Sequence, residues 1–238
     1  MTTEPDRPRC PICSCLVFKP YRGRLTAQCA QCKSLERTRL LWLVLQELGL
    51  VQRGKRVLHI APEVSLMDRF LELSGPGYFP CDLDPTRYTH PRIRVAHINL
   101  CNQTYQLLSN TFDIVIHNHV LEHVVCDVEV VMREFIRVMK PGAYQLFSVP
   151  FRGDVTREDL STTLSVDART KLFAQPDHMR LFGRKDFLEF LHRVLGKENM
   201  VENVLSGLSP QDYERASIPE EVPGRVEGST VFVYRKPR

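Results

Sequence analysis

Two groups of side chains have the types and the spacing to do chemistry. "CPIC" at 10–13 and "CAQC" at 29–32 read as C-x2-C, fifteen residues, C-x2-C, a spacing typical of four-cysteine zinc sites. Two residues between cysteines let a tight turn aim both thiolates at one ion, and tetrahedral zinc takes four such sulfurs with no position left for water. Cys10, Cys13, Cys29 and Cys32 are therefore expected to hold a structural zinc ion, with Cys15 the weaker competitor. The second group is "FDIVIHNHVLEHV" at 112–124, which sets His117, His119, Glu122 and His123 directly after an apolar run. His119-x-x-Glu122-His123 matches the inverted zinc-protease signature, which needs a helix to present both histidines. Here the residues follow a strand, so we read them as the mouth of a pocket. The spacing leaves open whether they also hold an accessory metal.

The elements that must position these groups follow from periodicity. Ser34 is placed to cap a helix with Leu41, Val44, Leu45 and Leu48 on one face and Gly49 as its stop. Beyond residue 53 short apolar runs alternate with amphipathic ones. Strands are expected over 56–60, 77–82, 92–98, 112–117, 143–149 and 229–236. Helices are expected through Leu66, Phe70 and Leu73, from the cap Asp127 through Val138, and from the cap Asp186 through Leu195. Such alternation predicts an α/β fold with a doubly wound, mostly parallel sheet. The 238 residues then divide into a zinc-binding module with its linking helix (1–50) and a main domain (51–238). Segment 151–183 breaks the rhythm and is read as an insertion covering the substrate.

In such sheets ligands bind at the carboxyl ends of the strands, where strand order reverses. That rule gathers His59 to Glu63, Asp82, Ile98 with Asn99, and His117 to His119 on one rim. Asp82 lies 23 residues after His59, near the distance at which an acidic side chain reaches ribose hydroxyls.

The charge distribution is uneven. Residues 1–56 hold 11 Lys/Arg against 4 Asp/Glu, whereas the remainder holds 21 against 24. A basic first quarter suits a solvated surface or a polyanionic partner. No run has the 18 or more apolar residues of a membrane span, and the start, "MTTEPDRPRC", lacks the apolar stretch of a signal peptide. The expectation is a soluble, cytoplasmic protein without a membrane partner.

"RVLHIAPE", "CDLDP", "FDIVIHNHVLEHV" and "MREFIRVMKPGA" occur in the order of the motifs of class I S-adenosylmethionine-dependent methyltransferases of the type 11 kind, which this chain resembles over roughly residues 54 to 150. "CPIC", "CAQCKSLERTR" and "LFAQPDHMRLFG" resemble a bacterial branch of these enzymes that carries a cysteine cluster. The resemblance implies a seven-stranded Rossmann-like sheet. It also implies S-adenosylmethionine as cofactor, held by His59, Ala61, Pro62, Glu63, Asp82, Leu83, Ile98, Asn99 and His117. One departure stands out: the first loop, usually rich in glycine, has none here. Glu63 is placed to compensate by pairing with the cofactor's ammonium group.

The expected reaction is methyl transfer to an oxygen or nitrogen of a small molecule or glycan. Proton removal falls to His119 or His178, because histidine titrates in the useful range. Arg180 or Arg152 is a candidate for holding an anionic substrate group. Two rival readings are an RNA methyltransferase gripping nucleic acid through the basic module, the less favoured partner, and a non-catalytic scaffold with a degenerate pocket.

Overall fold

The computed structural model describes residues 7–161, 163–202, 204–219 and 228–238. β1 (Phe18–Tyr21) and β2 (Arg24–Cys29) form an antiparallel hairpin between the cysteine pairs, and α1 (Glu36–Glu47) follows. The central sheet is then laid down by β3 (Val57–Ile60), α2 (Val64–Ser74), β4 (Tyr78–Asp82), β5 (Ala96–His97), β6 (Phe112–Asn118), α3 (Val128–Val138) and β7 (Met139–Ser148). β8 (Arg157–Glu158), α4 (Val166–Phe173), β9 (Arg180–Leu181), α5 (Arg184–Leu195), α6 (Pro210–Arg215) and β10 (Phe232–Arg235) complete the chain.

The sheet order is β10-β7-β6-β3-β4-β5, parallel throughout except for β10, which runs antiparallel to β7. Order reverses between β3 and β6, which makes their carboxyl ends the topological switch point. The expected doubly wound sheet is present, with six strands among the described residues rather than seven. Where a seventh strand would lie, Met200 makes a single antiparallel bridge to Tyr234 and the Val201 N–H donates to the Val233 carbonyl at 2.8 Å. The strand expected over 92–98 shrinks to two residues at the sheet edge, where a short strand limits unwanted pairing.

Burial on both faces explains the apolar strands. One face packs Leu58, Val115 and Phe147 against Val131, Phe135 and Phe187. The other packs Ile114 and Ile116 against Met67 and Phe70, and the same cluster runs on into Trp42, Leu45, Ile12 and Cys29. The N-terminal module thus shares a core with the sheet.

Two expected helix caps differ. Ser34 does not cap α1, whose cap position is Leu35; its hydroxyl lies 3.2 Å from the Cys32 sulfur and 3.5 Å from that of Cys10. α5 begins after Gly183, and Asp186 instead accepts the Thr156 N–H at 2.7 Å. Glycine is required at 183 because a Cβ there would lie 2.3 Å from the Asp154 and Val155 backbone. Asp127 does cap α3, accepting from the Glu129 N–H.

Arg39, fully buried, joins the two ends of the chain. Its guanidinium donates to the carbonyls of Ala27 (2.9 Å), Ser34 (2.8 Å), Ala216 (2.7 Å) and Ser217 (2.5 Å), and it lies 4.9 Å over the Phe18 ring. Arg39→Met keeps the apolar stem but strands four buried acceptors. Urea unfolding is expected to show a loss of about 3 kcal/mol or more.

Candidate functional site

The rim is built by register. Ile60 lies beside Cys81 on one side and His117 on the other, and Asp82 beside His97. At the ends, the Ala61 N–H donates to the Cys81 carbonyl (2.8 Å), the Ile98 N–H to that of Asp82 (3.0 Å) and the His119 N–H to that of Ser148 (2.9 Å). Residues scattered from 59 to 148 therefore meet along one edge.

A polar relay crosses that edge. The His59 Nδ1 lies 3.0 Å from the Tyr78 hydroxyl, and its Nε2 lies 2.6 Å from one Glu63 oxygen. The Asn118 amide donates to the other Glu63 oxygen at 2.8 Å, and the Ser148 hydroxyl donates to the Asn118 oxygen at 3.0 Å. A neutral imidazole satisfies both ends, its Nε2–H donating to Glu63 and its Nδ1 accepting from Tyr78. Burial pushes the Glu63 carboxyl up, but the His59 contact and the Asn118 amide outweigh it and hold the group below its ordinary value. Both Glu63 oxygens thus have partners within the protein, which changes the reading of Glu63 as a free partner for a ligand's ammonium.

The glycine-free loop still takes a glycine-like conformation. Ala61 has φ +47°, in the left-handed region that side chains rarely enter, and Pro62 is buried beside it. Asp82, also buried, accepts the Asp84 N–H at 2.8 Å and the Tyr88 hydroxyl at 2.5 Å. Burial, then the bond to Asp82, pushes the Tyr88 phenol up. Leu83 is 63% exposed directly after this carboxylate. Asn99 turns inward on its own loop, accepting the Cys101 N–H, and the Ile98 side chain is buried in the core. Cys101 and Cys126 form a disulfide joining this loop to the segment before α3.

The structure moves His117 off the rim. Side chains alternate along β6, so His117 points to the face opposite Ile116 and stacks between Phe135 (4.7 Å) and Phe147 (4.8 Å), with Gln145 donating to its Nε2 at 2.7 Å. It is a core residue, not a ligand-lining one. His119 has φ +52° and turns outward; its Nε2 lies 3.0 Å from the Gly228 carbonyl oxygen and its Nδ1 3.4 Å from Glu122. His119 lines a cavity of about 340 Å³ walled by Arg24, Glu36, Arg37 and Ile218. His178 is buried instead beside Glu122 and His123, and burial pushes its imidazole down.

Arg180 is unavailable to a substrate: it is 1% exposed, pairs with Glu158 at 2.6 Å and donates to the carbonyls of Leu121, Val124 and Cys126. It ties β9 to the loop after His119. Asn118, Ser148 and Tyr88 were missed by sequence reasoning. The available signal was that Asn118 and Ser148 are polar residues at strand ends; Tyr88, six residues past β4, carried none.

In the N-terminal module the Sγ atoms of Cys10 and Cys32 are 3.6 Å apart and those of Cys13 and Cys29 3.5 Å, all four lying within 4.8 Å of one another. A tetrahedral zinc with bonds near 2.3 Å separates its sulfurs by about 3.8 Å. Each pair closes the same turn: Ser14 N–H donates to the Cys10 carbonyl and Lys33 N–H to that of Cys29, with φ +65° and +64°. The contact between Cys10 and Cys32 pulls the Cys10 thiol down to about 4 and pushes that of Cys32 up, while burial pushes the Cys29 thiol up to about 11. Among the described residues the Cys15 sulfur hydrogen-bonds with the Val17 backbone and stands apart from the four-sulfur cluster.

A family model described as a methyltransferase domain matches residues 74–147. Among solved structures, phosphoethanolamine N-methyltransferase 2 of Haemonchus contortus, in complex with phosphomonomethylethanolamine and S-adenosylhomocysteine, superposes with a TM-score of 0.51 at 15% identity. CurJ carbon methyltransferase superposes with 0.50 at 16%. The matches cover 90% and 89% of this chain, but only 55% and 56% of those proteins. An S-adenosylmethionine-dependent methyltransferase from Archaeoglobus fulgidus matches at 15% identity over 84% of this chain and 94% of its own, with a TM-score of 0.48. No curated protein matches in sequence. Residues 74–147 are similar to a methyltransferase domain, and the chain has the Rossmann-like fold of the two superposed methyltransferases. Among the described residues no helix is long and apolar enough to cross a membrane.

Burial pushes His117 down to about 3, whereas an unfolded imidazole titrates near 6.5. The unfolded chain therefore takes up this proton first. The stabilising contribution is complete above about pH 6.5 and falls by up to about 1.4 kcal/mol per pH unit toward about 3. His117→Gln keeps an acceptor for Gln145 and does not titrate. Urea unfolding at pH 7.5 and 5 is expected to show a smaller acid loss in this variant than in the parent, even though the lost stacking makes it less stable at both.

Proposed function

We propose that this chain methylates an oxygen or nitrogen of a small polar molecule or glycan, with His119 as the base. The observation that carries this reading is that His119 opens onto a cavity of about 340 Å³ next to the strand ends, a volume in the range of small-ligand sites. Its wall includes the paired Arg24 and Glu36 and the exposed Arg37, groups suited to a hydroxylated or anionic acceptor.

The residues at the rim fit S-adenosylmethionine. Asp82 offers a buried carboxylate for a vicinal diol once the Tyr88 hydroxyl yields its place. Leu83 offers an exposed apolar side chain for the adenine, and the left-handed turn at Ala61 bends the backbone away at the end of the strand. When bound, the cofactor supplies an activated methyl group on a sulfonium. The chain then has to align an acceptor and exclude water. The Nε2–H of His119 faces the Gly228 carbonyl; once the acceptor displaces that carbonyl and the ring proton is carried on Nδ1, directed to Glu122, Nε2 holds the lone pair that takes the acceptor's proton. The Glu122 carboxylate steadies the resulting imidazolium, as an orienting carboxylate does for a histidine base. The Cys10, Cys13, Cys29 and Cys32 cluster holds a structural zinc that keeps the module, and with it Arg24 and Arg37, fixed against the rim.

Calorimetry is expected to show S-adenosylhomocysteine binding to the intact protein and its loss in Asp82→Ala. With an accepted substrate, His119→Ala should lower kcat by roughly 10²-fold or more while leaving cofactor affinity within a few-fold. Absence of any binding at millimolar ligand would leave a scaffold as the reading. Zinc content is expected at about one ion per chain and should vanish in a Cys29→Ser, Cys32→Ser double variant.

A further inference from the structure

Glu122 sits in an environment that its neighbours do not explain. It is fully buried, and neither carboxylate oxygen accepts a hydrogen bond. The nitrogens facing it are His119 Nδ1 at 3.4 Å and His123 Nε2 at 4.0 Å. A buried carboxylate without donors or a countercharge is costly. His178, brought in from the inserted segment, is buried as well, and its Nδ1 has no partner. One ligand atom from each of Glu122, His123 and His178 lies within 4.8 Å of the other two.

The surroundings hold these groups as ligands are usually held. The His123 Nδ1 lies 3.2 Å from the Asp177 carbonyl oxygen, which as acceptor takes the N–H there and leaves Nε2 free on the Glu122 side. Fixing one ring nitrogen through a carbonyl so that the other points at an ion is the common outer-shell arrangement. The two segments are already in register, because the Met179 N–H donates to the Glu122 carbonyl at 2.8 Å.

We propose that Glu122, His123 and His178 bind a divalent transition-metal ion, distinct from the cysteine-bound zinc, that fastens the inserted segment onto the rim beside His119. Two imidazoles and one carboxylate suit zinc, manganese, iron or cobalt better than magnesium or calcium, which take oxygen ligands. Ligands on a four-coordinate ion stand about 3.3 Å apart, so ring movements of about 1 Å close the set. Three protein ligands leave a coordination position for water or another oxygen donor. His119 and His123 face the same Glu122 oxygen, Oε1, so an ion held there lies beside His119. The inference does not depend on which molecule accepts the methyl group.

The test is a Co²⁺ titration of the full chain after dialysis against a weak chelator. Co²⁺ on thiolates gives intense charge-transfer absorption, whereas Co²⁺ on imidazole and carboxylate gives only weak visible bands. The expected result is a bound equivalent without thiolate bands, in addition to the cysteine site. His123→Ala and His178→Gln should each lose that equivalent and keep the cysteine-bound ion. Binding only at thiolates in the parent, or retention of the extra equivalent in either folded variant, overturns the proposal. Should His178→Gln fail to fold by circular dichroism, His123→Ala decides alone, since that side chain is 36% exposed.

Discussion

Glu63 receives a hydrogen bond from His59 on one oxygen and from Asn118 on the other, and the geometry of the rim depends on that bridge. With Tyr78 behind His59 and Ser148 behind Asn118, the relay links side chains from β4, β3, β6 and β7. Parallel strands are joined in mid-sheet by backbone bonds, but at their carboxyl ends the ladder stops and the chain must turn away. A side-chain network there fixes where Ala61, Asn118 and His119 leave the sheet. The low local dielectric strengthens each bond and makes any broken one costly, so the network acts as a unit.

Two buried arginines do for the irregular segments what the relay does for the strands. Arg39 gathers carbonyls from the hairpin, the start of α1 and the segment after α6, while Arg180 gathers those of the loop at 121–126. Loop carbonyls in a core have no ladder to satisfy them, and a guanidinium offers five donors in a fixed fork. The inserted segment and the N-terminal module are thereby drawn to the same edge, on either side of His119.

Much of the fold was legible in the sequence because burial imposes period. β3 and β6 read as apolar runs, and α3 reads as a stripe of Val128, Val131, Phe135 and Val138 with Asp127 as its cap. The caps at Ser34 and Asp186 did not follow local pattern, because tertiary partners claimed both side chains, the cysteine sulfurs in one case and the Thr156 N–H in the other. The Cys101–Cys126 disulfide, whose cysteines stand 25 positions apart in sequence, had no local signal.

What the sequence determined by itself was the alternation of strands and helices, the rim to which their carboxyl ends must come, and the paired spacing of four cysteines. These follow from chain connectivity and from residues near one another in sequence. Tertiary structure decided which way each histidine points. One step along β6 separates His117, stacked in the core, from a rim position, and a left-handed turn two residues later sends His119 into the cavity. Only the docking of the inserted segment brings His178 to Glu122, across a separation that no local pattern spans, because that contact is set by the burial of Arg180 and the pairing of Met179 with the loop.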